Sequence, residues 1–121
     1  MTVPVINLKG KLELFREQWQ PKTIAQLNDN HVKLAKIQGD FVWHSHPDTD
    51  ELFLVVDGEM RIDFRDGAVS LEAGEVYAVP KGVEHKPFAE KECAILMVEL
   101  AGTLNAGEAG GEKMVANPEW I

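Results

Sequence analysis

Three histidines and one carboxylate stand out in this sequence as potential metal ligands because of where they lie along the chain. His44 and His46 are separated by one residue, and on a β-strand such positions point to the same face. A turn at residues 47–49 would let the next strand return Glu51 to the same place, and His85 follows a later turn. If these four side chains converge, they form a ligand set for one divalent transition metal, such as Fe, Mn, Ni or Zn.

A site of this kind would leave coordination positions open, as a catalytic metal requires. Structural zinc sites are usually closed and rich in thiolates, whereas Cys93 is the only cysteine here. A histidine pair on a strand can equally form a polar stripe that faces solvent, and the spacing alone leaves this alternative open. His31 has no companion of the ligand type, and we assign it no role.

The glycines and turn residues around these histidines resemble the two sequence motifs of the cupin family. The matching segments are Gly39-x4-His44-x-His46-x4-Glu51-x6-Gly58 and Gly74-x5-Pro80-x-Gly82-x2-His85. The similarity is close over residues 39–88 and extends over about 22–100. It implies a cupin-type jelly-roll β-barrel with a metal inside, bound by His44, His46, Glu51 and His85.

The sequence departs from the usual cupin pattern at two positions. Gly39 stands one residue closer to His44 than is common, and Ala89 replaces the Asn that often closes the second motif. Neither residue is a metal ligand, so the predicted ligand set is unaffected. Asp50 is an alternative carboxylate, because the family tolerates either spacing. We prefer Glu51 for its longer reach and its spacing.

The rest of the sequence predicts the elements that must position these residues, an all-β domain with a short N-terminal helix. Short stretches of alternating polarity, separated by turn residues, indicate six or more antiparallel strands over about residues 22–100. Apolar residues three or four apart predict a helix over about 7–19, before Pro21. No repeat or linker divides the chain, so we expect a single domain over residues 1–121, with a C-terminal tail over 103–121.

Two predicted strands, residues 51–56 and 94–98, are apolar on both faces. Such strands must be covered on both sides, because an exposed apolar sheet face would associate with other surfaces. The cover is either the N-terminal helix with the tail or a second copy of the chain in a homodimer, and the sequence favours the two equally. If the histidine pair faces inward, alternation places three neighbours outside: Phe41, Trp43 and Ser45.

The barrel interior around the metal is expected to be apolar, because Glu51 shares its face with Phe53 and Val55. Such a pocket suits a small organic substrate or ligand. Met60 and Tyr77 are candidate substrate contacts within it. The cupin resemblance implies a metal-dependent enzyme, with dioxygenase-type oxidation favoured over isomerisation. A noncatalytic cupin that binds or senses a small ligand or sugar is the alternative.

Composition argues against several other classes of protein. The 121 residues include 12 basic and 20 acidic side chains, a formal net charge of −8. Binding to nucleic acid or to anionic membranes needs clustered Lys and Arg, so neither is expected as a partner. The apolar runs at residues 52–56 and 94–98 have five residues each, too few to cross a bilayer. Together with the single cysteine, these features predict a cytoplasmic protein.

Overall fold

A computed structural model describes residues 3–107, 115 and 117–121 of the chain. Within these ranges the chain forms one short helix and seven antiparallel strands. The helix α1 is Leu8–Leu12, and the strands are β1 Lys22–Leu27, β2 Asn30–Asp40, β3 Glu51–Asp57, β4 Glu59–Phe64, β5 Gly67–Glu72, β6 Val76–Val79 and β7 His85–Leu100. The predicted all-β fold with a short N-terminal helix is therefore confirmed.

Strand β7 is the longest, and both of its edges are paired. Strand β2 runs along one edge, from the pair Asn30↔Leu100 to the pair Asp40↔Phe88. On the other edge, β3 pairs with the C-terminal part of β7 and β4 with the N-terminal part. Between β3 and β4 the chain turns a corner at Gly58, where a Cβ would lie 3.2 Å from a backbone oxygen of β7.

Side chains from alternate positions of these strands fill the interior. The buried cluster consists of Ala35, Ile37, Phe53, Val55, Met60, Ile62, Leu71, Val79, Ala89, Cys93, Ile95 and Met97. Burial of this apolar surface is the main force that holds the strands together. The same inward rows end in polar residues, Lys33 on β2, Glu51 on β3 and Glu99 on β7, all buried. The interior is therefore apolar along most of its length and polar at one end.

A second apolar cluster covers part of the outer face of the sheet. Its buried members are Phe15, Ile24 and Leu34, and the side chains packed around them include Leu8, Leu12, Leu96 and Ile121. The ammonium group of Lys36 donates a hydrogen bond to the carbonyl oxygen of Phe15 at 2.6 Å. This part of the outer sheet face is therefore covered by the N-terminal segment and the C-terminal residue of the same chain.

The N-terminal helix is shorter than the predicted range of residues 7–19. It begins after Asn7, whose side chain accepts a hydrogen bond from Gly10, and it ends at Leu12. Farther along, the backbone bonds to β2 instead of continuing the helix, because Trp19 N donates to the carbonyl oxygen of Lys36 at 2.8 Å. Trp19 adopts a φ of 60°, which is uncommon for a bulky residue. The apolar residues that are spaced as in one helix therefore pack against two different surfaces of the protein.

Phe41, in the segment between β2 and β3, was predicted to face outward, and this prediction is wrong. Strand β2 ends at Asp40, and beyond it backbone hydrogen bonds form at separate points, such as the two between His44 and His85 at 3.0 and 2.9 Å. Because regular alternation stops there, Phe41 turns inward and is buried. Trp43 does face outward, and the guanidinium of Arg65 lies 3.9 Å from the centre of its ring.

The last residues of the chain pair with β1. Ile121 N donates to the carbonyl oxygen of Thr23 at 3.0 Å, and Thr23 N donates to that of Glu119 at 2.8 Å. Much of the predicted tail over 103–121 lies outside the described residues. Within the described ranges, no helix has the length and apolar character needed to span a bilayer.

Candidate metal centre

The side chains of His44, His46, Glu51 and His85 come together at the polar end of the barrel interior. One ligand-type atom from each residue lies within 4.8 Å of the others. Glu51 Oε1 lies 3.3 Å from His85 Nε2 and 3.4 Å from His46 Nε2. All four residues are buried. The structure thus groups the four residues that the sequence nominates.

Backbone carbonyl groups orient two of the three imidazole rings. His44 Nδ1 lies 2.9 Å from the carbonyl oxygen of Val42, and His85 Nδ1 lies 3.0 Å from that of Val83. When Nδ1 carries the proton and donates it there, the lone pair of Nε2 faces the centre, which is the arrangement that metal-binding histidines adopt. The backbone therefore selects the tautomer that a metal needs.

The Nε2 atom of His46 is buried and has no hydrogen-bond partner in the described part of the chain. Buried polar atoms are rarely left unpaired, because desolvation without a partner is unfavourable. A metal ion would satisfy this atom together with Glu51 Oε1. Three imidazoles and one carboxylate are also the donor set that divalent transition metals accept. The residues present therefore fit such an ion.

Burial and mutual contacts set the protonation states at this centre. Burial, with the nearby His85, lowers the pKa of His44 to about 4, so its imidazole is neutral at neutral pH. Burial alone would raise the pKa of Glu51, but its close contacts with Glu99, His46 and His85 outweigh this effect and hold the pKa well below its ordinary value. His44 and Glu51 are thus in the forms that bind a metal.

Asp50, the alternative carboxylate, lies outside the cluster. Its side chain is exposed, and its Oδ1 accepts a hydrogen bond from Lys81 N at 2.8 Å. This contact ties the start of β3 to the turn that precedes His85. Glu51 is therefore the carboxylate that faces the three histidines.

An apolar cavity lies beside the four-residue cluster. Its volume is about 30 Å³, and it is partly open to solvent. Trp19 and Phe41 stack at its wall with ring centroids 4.7 Å apart, and the rings of Phe41 and His44 pack edge to face. Further lining residues are Ala35, Ile37, Phe53, Ile95 and Met97. This cavity therefore adjoins the candidate metal centre at His44 and Glu51.

Met60 and Tyr77, the predicted substrate contacts, do not line this cavity. Met60 is buried in the core, and the half-buried Tyr77 packs near Phe64 with ring centroids 5.8 Å apart. Trp19 and Phe41 do line it, and neither was predicted from the sequence to do so. Trp19 lies shortly before Pro21, and Phe41 lies shortly before the histidine pair. The helical pattern already accounted for Trp19 and the strand pattern for Phe41, so neither was recognised.

Two buried charged residues behind Glu51 also escaped the sequence analysis. Lys33 Nζ lies 2.9 Å from Glu99 Oε1, and each side chain is 2% exposed. In the sequence, each of these residues is a single charged residue at an inward position of a largely apolar strand. Charged residues in alternating strands usually face solvent, so this pattern was not distinctive.

The segment that follows β7 packs against the histidine pair. Gly107 has a φ of +54°, and a Cβ there would lie 2.1 Å from the carbonyl oxygen of Ser45 and 3.5 Å from His46 Nδ1. Neighbouring Ala106 is buried. Gly107 is therefore required both by its backbone conformation and by its close approach to the site.

Comparisons with known proteins agree with this fold. A family model for the cupin domain matches residues 30–99. A cupin-2 domain containing protein from Shewanella frigidimarina NCIMB 400 is 52% identical, with a TM-score of 0.78 over 79% of this chain and 94% of that one. Protein NMB1881 from Neisseria meningitidis is 37% identical, with a TM-score of 0.75 over 81% and 100% of the two chains.

An uncharacterized protein, YdbB of Bacillus subtilis (strain 168), is 41% identical over 94 residues, which are 77% of this chain and 83% of that protein. The fold and the His/Glu cluster define a small antiparallel β-structure with a candidate metal centre inside. The family match and these relatives show more: the chain belongs to the cupin family.

Replacement of Gly107 by alanine should destabilise the protein more than the same change at Gly102. Both glycines have a positive φ, so both substitutions cost about 1 to 2 kcal/mol of backbone strain. A Cβ at Gly102 meets no atom within 4 Å, whereas Gly107→Ala adds the clash with Ser45. We expect an additional loss of about 1 to 3 kcal/mol in urea unfolding. Equal losses would show that this close approach is absent.

The metal-free protein should lose stability as the pH falls from about 6.5 toward 4. The pKa of His44 is about 4 in the folded protein against 6.5 ordinarily, so the unfolded chain binds the additional proton in this window. The difference amounts to about 3 kcal/mol. Urea unfolding at several pH values measures it, and a His44→Gln variant should lose this part of the pH dependence. The same slope in both proteins would contradict the assignment.

Proposed function

We propose that this cupin is a metal-dependent enzyme that oxidises a small organic substrate by dioxygenase-type chemistry. The observation that carries the proposal is the convergence of four buried ligand atoms beside an apolar cavity. His44, His46, Glu51 and His85 would hold one divalent transition metal, Fe, Mn, Ni or Zn. A redox-active metal such as Fe or Mn would supply activation of O2 and of the coordinated substrate.

The side chains around the cavity support a small substrate with an apolar body. The stacked rings of Trp19 and Phe41 offer a flat wall next to His44, and Met97 and Ile95 offer aliphatic surface. These side chains would exclude water from the reacting groups and orient a planar molecule toward the centre. The apolar lining also supports binding of a small molecule rather than a polymer.

The titratable groups of the cavity support oxidation over isomerisation. An isomerase moves a proton and needs an acid or base that is free to exchange it. Among the described residues that line the cavity, the titratable side chains are His44 and Glu51, and both are proposed metal ligands. Chemistry centred on the metal therefore agrees better with this lining than acid–base chemistry by a side chain.

Metal analysis of variants tests the ligand set. Protein purified without a histidine tag and incubated anaerobically with Fe(II) should retain one metal per chain by elemental analysis. Substitutions His44→Ala and His85→Ala should each lower the affinity at least about tenfold, because each removes a direct ligand. His31→Ala is the matched control, since His31 lies against Trp120 away from the cluster, and it should bind as the wild type does.

Oxygen consumption then tests the reaction class. The Fe(II)-loaded protein should consume O2 with a member of a panel of catechols, thiols and keto acids, and His44→Ala should abolish this uptake. If the wild type retains metal and consumes no O2 but is stabilised by one of these compounds, the cupin is a noncatalytic binding or sensing protein. A wild type that retains no Fe(II), Mn(II), Ni(II) or Zn(II) would contradict the metal proposal itself.

We also propose that the chain forms a homodimer through the part of the outer sheet face that the second cluster leaves open. Leu52 pairs with Val98 across β3 and β7, and Leu54 pairs with Val76 across β3 and β6. None of these four residues belongs to the second cluster, and Val76 is 54% exposed. A contiguous apolar face of this kind is typical of an interface, and one face can meet its own copy across a two-fold axis.

Sedimentation at micromolar concentration tests the dimer. The wild type should sediment with twice the chain mass of 13.5 kDa. Leu54→Lys should shift the protein toward the monomer, because a buried unpaired ammonium in the interface is unfavourable. Leu14→Lys is the control, since Leu14 is 65% exposed and belongs to the N-terminal segment. A wild type that sediments as a monomer would contradict the proposal.

A further inference from the structure

A buried ion pair lies in the barrel interior directly behind the candidate metal centre. Lys33 on β2 and Glu99 on β7 are 2.9 Å apart, and Lys33 Nζ also lies 3.4 Å from the carbonyl oxygen of Thr103. Strand pairing places Leu52 beside Val98, so Glu51 and Glu99 are close neighbours on the inner face. The pair is therefore built into the same end of the barrel as the histidines.

Two buried carboxyl groups, those of Glu51 and Glu99, thus lie side by side across β3 and β7. Glu99 Oε1 already accepts from Lys33, and Glu99 Oε2 is buried with no other partner among the described residues. The remaining oxygen of Glu99 is thus the one available to Glu51.

A contribution to stability does not explain well why Lys33 and Glu99 are buried. Removing two charges from water is unfavourable, and an apolar pair of similar size often serves a protein core equally well or better. Glu51 Oε1, in contrast, needs a defined position, since it faces both His46 Nε2 and His85 Nε2. Glu99, with a buried oxygen that has no other partner among the described residues, is the polar neighbour of Glu51 across β3 and β7 that can restrain this position.

We propose that Lys33 and Glu99 are positioning residues that hold the carboxylate of Glu51 toward His46 and His85. This inference rests on the metal centre proposed above. Lys33 holds Glu99 in place through its ammonium group, and Glu99 in turn holds Glu51. Partners of this kind behind a metal ligand typically change metal affinity by about ten- to a hundredfold.

Two variants separate this role from folding. Glu99→Gln keeps an acceptor for Lys33 and a donor for Glu51, so the contacts remain. The double substitution Lys33→Met with Glu99→Leu removes both contacts and leaves no unpaired buried charge, so the metal-free protein should unfold at or above the wild-type temperature. Co(II) is the probe, because its visible absorption spectrum reports the geometry of its ligands as well as its affinity.

We expect Glu99→Gln to bind Co(II) with the wild-type spectrum and within about threefold of the wild-type affinity. The double variant should bind about ten- to a hundredfold more weakly and show an altered spectrum. Wild-type affinity and spectrum in the double variant would overturn the positioning role alone, and so would a Glu99→Gln variant as weak as the double variant. A wild type that binds no Co(II) would overturn the metal centre and this inference with it.

Discussion

The structure depends on one carboxylate that is buried among three imidazoles. An isolated carboxylate in an apolar interior would be strongly unfavourable, so Glu51 can be ionised there only with partners around it. Its Oε1 lies within 3.4 Å of two histidine Nε2 atoms. Neutral imidazoles do not balance its charge, whereas a divalent cation between these atoms would. The electrostatic requirement of this single side chain therefore explains why so many ligand-type atoms converge at one point.

The strands meet this requirement through their pairing. The first residue of β3 is Glu51 and the first residue of β7 is His85, so two ligands come from the beginnings of two long strands. The backbone bonds between His44 and His85 then attach the irregular histidine segment to β7. Because β7 pairs with β2, β3 and β4, the apolar core that holds these strands together also holds the ligand geometry.

Much of this site could be predicted from the sequence, because its residues follow simple rules. The spacing of His44 and His46, the strand that begins at Glu51 and the turn before His85 all depend on short-range geometry. Trp19 and Phe41 were assigned wrongly because each lies where a regular element ends, and periodicity carries no information there. Lys33 and Glu99 were missed because their burial depends on which face of a strand the whole barrel encloses, which is a property of the assembled fold.

An anomalous diffraction measurement on a Zn(II)-loaded crystal would show whether one metal ion binds among the four side chains. We expect one strong peak between them, about 2 Å from an imidazole nitrogen of each of His44, His46 and His85 and from a carboxylate oxygen of Glu51. Anomalous peaks confined to surface carboxylates, with none among these four residues, would contradict it.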